Sequence, residues 1–205
     1  MLDSIPQSEK PQGVAPWTAI GRPARSARQR ILVTAIELFC RNGYEAIGVD
    51  AIAQESGASK STIYKHFTSK ENLIAAVLEE EGATWRNWFY GELGKVEGDP
   101  GTKVLAIFDV LERWFEDPNF YGCAFLNAIS EAACDDDRSR RLADAHKAHL
   151  LAWLHGQALE LGAEPKEFTH AMIVLIDGAI MAAHASKNAS FAKSGRLLAA
   201  AYLDA

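Results

Sequence analysis

Cysteine is scarce in this chain: Cys40, Cys123 and Cys134 are its only three, widely spaced and odd in number. They form neither a disulfide framework nor a metal-ligand spacing, so a reducing cytoplasm is the expected compartment. Long apolar runs are missing as well. The greasiest stretch, 171–185, is short and broken by Asp177 and His184, and the N-terminus has no apolar signal core; neither secretion nor membrane spanning is expected. No phosphate-cradling glycine loop and no Ser/His/Asp or Cys/His set stands out. His146 and His149 lie three apart on a helical pattern without evident further ligands, so no enzyme, metal site or cofactor is expected. Strand-like alternation and repeat periods are also absent. What is left is an all-α chain of about nine helices.

What the chain does have is 205 residues with 48% hydrophobic content, enough for one sizeable core or for a small domain plus a larger one. Its charge is split. Residues 1–75 hold nine Lys/Arg against seven Asp/Glu, whereas residues 76–205 hold twelve against twenty. An acidic protein can approach a polyanion only through an end where positive charge gathers, and here that is the N-terminal end.

That end carries the most informative stretch, V-D-A-I-A-Q-E-S-G-A-S-K-S-T-I-Y-K-H-F at 49–67. Val49, Ile52 and Ala53 make one apolar face of a short helix, and Gly57 stops it because glycine takes left-handed angles freely. Ser59 caps a second helix whose inner side is Ile63 and Phe67. Lys60, Ser61, Thr62, Tyr64, Lys65 and His66 stay outside. Donors, hydroxyls and positive charge suit a helix lying in the DNA major groove, although a plain helical hairpin with a polar face would look alike.

The flanking motifs separate the two readings. I-L-x-x-A-I-E-L-F at 31–39, N-G-Y at 42–44, V-D-A-I-A at 49–53, S-G-A-S-K-S-T-I-Y-K-H-F at 56–67 and S-K-E-N-L at 69–73 together resemble the DNA-binding domain of TetR-family transcriptional regulators. The resemblance implies base-edge or nearby sugar-phosphate roles for Lys60, Ser61, Thr62 and Tyr64. It implies backbone roles for Tyr64, Lys65, His66 and Lys70. Gly48 departs from the family's Ser or Thr at the start of the first hairpin helix; it offers no side-chain oxygen for a cap or a phosphate.

The remaining organisation is expected as follows. Residues 1–24, with Pro6, Pro11, Pro16 and Pro23, read as a flexible basic arm. Arg22, Arg25 and Arg28 at its end could meet phosphates or the minor groove, or belong to an ordinary solvated tail. The DNA-binding head spans 25–72, its first helix running from about Arg25 to Asn42. Thr68 and Glu71 have capping-box spacing at the start of a long helix through Leu73, Val77, Leu78, Trp85 and Phe89. Residues 73–205 form a regulatory domain. The acidic run Asp135–Asp137 reads as a solvated turn in preference to a cation site.

Within that domain the resemblance implies a cavity for a small-molecule effector. By position Trp88, Phe108, Leu111, Phe125, His149 and Trp153 are its expected lining. The last two long helices offer small and apolar residues, Leu175, Ala179, Ala182 and Ala183 on one, Leu198 and Tyr202 on the other. The resemblance implies that these pair with a second copy in a homodimer, whose recognition helices would sit about 34 to 36 Å apart, or somewhat more, on a palindromic DNA operator. A regulator with no effector, and a helical scaffold with no DNA role, are the other readings.

Overall fold

A computed structural model of the chain describes residues 26–131 and 137–204. The expected arm at 1–24, Cys134, Asp135 and Asp136 lie outside them. Among the described residues there are nine helices and no strand, as the sequence implied.

α1 (Ala27–Asn42) begins where Ser26 accepts from the Gln29 backbone N–H at 3.2 Å while the Gln29 side chain accepts from the Ser26 N–H at 3.1 Å. This reciprocal cap sets the start two residues after the expected Arg25. α2 (Val49–Ser56) starts at Gly48, which makes no side-chain cap, and ends at Gly57 with φ 64°. α3 (Lys60–Phe67) is capped by Ser59, whose Oγ accepts from the Thr62 N–H at 3.2 Å.

α4 (Lys70–Leu93) does not use the expected Thr68 cap. Thr68 takes φ 61° as the terminator of α3, which leaves the hydroxyl of Ser69 to accept from the Asn72 N–H at 3.2 Å. α5 (Pro100–Phe115) starts where Asp99 caps it and Pro100 occupies the first turn. α6 (Ala124–Glu131), α7 (Asp137–Leu161), α8 (Pro165–Ser186) and α9 (Phe191–Leu203) complete the order.

Two hydrophobic cores organise these helices. The N-terminal one joins Ile31, Ala35, Ile36 and Phe39 of α1 with Tyr44, Ile52, Ile63 and Phe67. It is closed by Leu73, Val77 and Leu78 of α4 and by Phe125 and Ala128 of α6, so the head completes its core with residues of the larger part. A head of this size buries too little area alone, which is the physical reason for borrowing them. The second core gathers Phe89, Ile107, Phe108, Leu111, Leu154, Phe168, Met172 and Ile176 from α4, α5, α7 and α8.

α8 is the described helix that is long and apolar enough to cross a membrane by length and composition, with a mean hydropathy of 1.4 over its best window. Its inner face is core, and its Asp177 pairs with Lys147 of α7, Nζ to Oδ2 at 2.7 Å. Core helices pass the same composition test.

Candidate DNA interface and ligand cavity

The outer surface of α3 presents what the sequence indicated. Lys60, Ser61, Lys65 and His66 are exposed, Tyr64 is 46% exposed, and Thr62 is half-buried. The hydroxyls are already organised: Ser59 Oγ lies 2.9 Å from Ser61 Oγ and 2.8 Å from Thr62 Oγ1. Lys60 forms an ion pair with Asp50 of α2. Arg28 is exposed, with its guanidinium 5.0 Å over the Phe67 ring, so it extends the positive surface beside α3. Lys70 is half-buried and donates to the Glu45 carbonyl at 3.3 Å, tying the start of α4 to the α1–α2 turn.

A cavity lies where the head meets the larger part. Its volume is about 70 Å³, within about 970 Å³ of non-atom space when its mouth is included. Cys40 and Tyr44 of the head form one wall; Glu81, Trp85, Arg86 and Tyr90 of α4 form another. Trp114, the Tyr121–Cys123 turn, Phe125, His146, Lys147, Ile176 and Asp177 close it. Gly82 is needed for this arrangement, since a Cβ there would lie 2.8 Å from Phe125 Cζ and 2.9 Å from Arg86 Nη1.

Of the six residues expected to line a cavity, Phe125 does so. Trp88, Phe108 and Leu111 are instead packed in the second core, Trp153 packs against that core from outside, and His149 is solvent-exposed. On α4, Trp88 and Phe89 are both buried in the second core, while Trp85, stacked on Phe89 at 4.4 Å, sits at the edge of that core and reaches the cavity wall. The sequence signal for the real lining is charge and imidazole in otherwise apolar helices, namely Arg86, His146, Lys147 and Asp177.

Arg86 Nη1 donates to His146 Nδ1 at 3.0 Å, which puts the imidazole proton on Nε2. Burial first, and then Arg86, hold His146 down at about 3, so it is neutral. His146 stacks on Phe125 at 4.2 Å with 18° between the ring planes. Burial pushes the Cys40 and Cys123 thiols up, which keeps them protonated and poorly nucleophilic. Among the described residues the Tyr44 hydroxyl and the Trp85 indole Nε1 are buried without a partner.

The dimer expectations divide. Leu198 and Tyr202 are exposed, and Leu175 and Ala182 are half-buried. Ala179 and Ala183 are not available, being 6% and 1% exposed inside the subunit's own core. The reason is the close approach of α9: a Cβ at Gly195 would lie 3.5 Å from Ala179 Cβ, so the small residues face inward. The apolar residues that face outward are Val174 and Met181 on α8, with Leu197, Leu198 and Tyr202 on α9.

A two-helix reading head with a cationic outer face, seated on a helical body that holds a cavity, defines a DNA-binding regulator. Residues 31–77 match the family model described as bacterial regulatory proteins of the tetR family. A solved structure of a TetR-type regulator from Streptomyces avermitilis is 30% identical, superposes with a TM-score of 0.71, and is covered to 90% by 81% of this chain. The chain belongs to the TetR family of transcriptional regulators. Its members are DNA-binding proteins and not enzymes.

The transcriptional repressor NemR of Escherichia coli K12 is 27% identical over 138 residues, 67% of this chain and 69% of that protein. The transcriptional activator FasR of Mycolicibacterium smegmatis is 44% identical over 57 residues, which is 28% of this chain and only 26% of that relative.

Proposed function

We propose that this regulator is a homodimeric repressor, released from a palindromic operator by a small apolar or aromatic effector. The observation that supports this above all is the cavity: it has head residues, Cys40 and Tyr44, in its own wall. A ligand there touches the element whose position sets the spacing of the recognition helices. Ligand affinity that differs between two head positions shifts DNA affinity by the same factor. In this reading the division is 25–72 for DNA and 73–205 for ligand and partner, the protein works in the cytoplasm, and the exposed apolar face of α8 and α9 meets a second copy.

The test is selection of bound fragments from random duplex DNA with the purified protein. Recovery of an inverted repeat with half-sites about one helical turn apart supports the reading; recovery of no preferred sequence overturns it. On the selected site Lys60→Ala should cost about 1 to 3 kcal/mol at a single base position and relax preference there. Equal weakening on all single-base variants would instead make Lys60 a phosphate contact.

Asp50→Asn tests the ion pair that Lys60 must give up to reach DNA. Both partners are exposed, so the pair is worth little in itself. Removing its negative charge beside the phosphates should raise affinity by a few-fold at low salt, and the gain should fade at about 0.3 M salt. Unchanged affinity at low salt would mean that Asp50 stands clear of the DNA path.

A further inference from the structure

Three hydroxyls at the start of α3 are joined through one oxygen. Ser59 Oγ accepts from the Thr62 backbone N–H at 3.2 Å, and the same atom lies 2.9 Å from Ser61 Oγ and 2.8 Å from Thr62 Oγ1. A serine hydroxyl has one proton to give and two lone pairs with which to receive. The backbone N–H takes one lone pair. One lone pair and one proton are left for two neighbours, so one of Ser61 and Thr62 donates to Ser59 and the other accepts from it.

That division reaches the outer surface of the helix, where Ser61 is exposed and Thr62 half-buried. The hydroxyl that donates to Ser59 has spent its proton and offers only lone pairs to anything else. The hydroxyl that accepts from Ser59 keeps its proton to give. An unrestrained Ser or Thr hydroxyl turns to suit either kind of partner and so pairs with any base edge. The major groove distinguishes bases by their pattern of donors and acceptors, so a hydroxyl held in one sense discriminates where a free one does not.

We propose that Ser59 is a positioning residue for operator recognition: it holds the Ser61 and Thr62 hydroxyls in opposite senses and thereby gives this part of α3 its base preference, without contacting DNA itself. The proposal rests on the reading of α3 as the helix that faces the groove, and adds a determinant of which bases it accepts.

Two observations set Ser59 apart from an ordinary helix cap. A cap needs only the bond to the Thr62 N–H, whereas here the side chain also bonds both hydroxyls. Those three bonds fill its capacity, so Ser59 would have to give one up to reach a phosphate. Among the described residues no other group bonds the Ser61 or Thr62 hydroxyl, and the neighbouring Lys60 is turned to Asp50. The sense of both hydroxyls therefore depends on Ser59.

The experiment measures the affinity of the full chain for its selected duplex and for every single-base variant of it, using the parent, Ser61→Ala, Thr62→Val, Ser59→Gly and Ser59→Thr. The first two substitutions mark the base positions that these hydroxyls read. Glycine caps a helix almost as well as serine, so Ser59→Gly is expected to keep Tm within about 1 °C of the parent. Its discrimination at the marked positions should shrink about threefold or more, while discrimination elsewhere in the half-site holds. Ser59→Thr keeps the hydroxyl and has room for its methyl group at an exposed position, so it should restore the parent's pattern. Discrimination that survives Ser59→Gly, weakening spread evenly over all base variants, or a Ser59→Thr chain that behaves like Ser59→Gly would each overturn the proposal. It also falls if Ser61→Ala and Thr62→Val alter preference at no position, and Lys60→Ala then reports separately on α3: a chain whose DNA binding none of these three changes would lose the groove reading as well.

Discussion

A chain carrying Val174→Glu together with Leu197→Glu is expected to run as a single subunit and to lose affinity for its selected DNA by about 10²- to 10⁴-fold. Val174 is 69% exposed on α8 and Leu197 is 72% exposed on α9. Large apolar side chains so exposed, with Met181, Leu198 and Tyr202, lie on two helices that pack against each other. A two-fold interface doubles every substitution, so the double variant places four carboxylates where apolar groups would meet. Burying each unpaired charge costs several kcal/mol, more than the apolar contacts return. Neither side chain lies in the subunit's core, so the fold and the ligand cavity should survive.

The DNA term follows from geometry. Two heads held at fixed separation bind the second half-site as an intramolecular event, and separated heads do not. Light scattering behind a sizing column gives the mass, and a fluorescence titration with the selected duplex gives the affinity. Leu159→Glu is the control: Leu159 is 62% exposed on α7 rather than on α8 or α9, and its variant should stay dimeric. A double variant that remains dimeric, or that becomes monomeric without losing DNA affinity, would sink the partner assignment.

The reading head was legible in the sequence because its determinants are local. Gly57 at the left-handed position, Ser59 one residue before α3, and the Ile63–Phe67 pair each act over four residues or fewer, within the reach of a pattern. The cap of α4 shows where that reach ends. Thr68 and Ser69 both offer a hydroxyl, and the choice fell to Ser69 because Thr68 turns the chain at the end of α3.

The cavity was illegible for a different reason. Its walls come from the head and from five helices of the body, and which aromatic faces it depends on the rotation of each helix, which packing decides. Trp85 and Trp88 have the same composition signal and opposite fates. The face proposed for a second copy was hard to read for a related reason: the small residues were expected outside because they permit close approach, but α9 of the same chain packs against Ala179, and Ala183 is buried in the subunit's own core. Large exposed side chains, visible only once the fold is known, mark the surface left over.

Acid should weaken this protein through His146, and the size of the effect measures how tightly the cavity holds that ring in its neutral form. The folded imidazole stays neutral down to about pH 3, first because it is buried and then because Arg86, Lys147 and His149 oppose a further positive charge. In the unfolded chain the same ring takes a proton near pH 6.5. The unfolded state therefore binds more protons between these limits, and stability, complete above about pH 6.5, declines as the pH falls from there toward 3. At about pH 5 the loss from this one group is about 1 to 2 kcal/mol, or about 3 to 8 °C in Tm for a chain of this length.

His146→Gln isolates it. Its side-chain amide oxygen can still accept from Arg86 Nη1, and it does not titrate. The fall in Tm between about pH 7.5 and about pH 5 should be smaller in the variant by that amount, with carboxylate contributions common to both proteins. Equal falls would show that His146 accepts a proton in the folded chain without cost, and the reading of His146 as a ring held neutral by burial would then have to be given up.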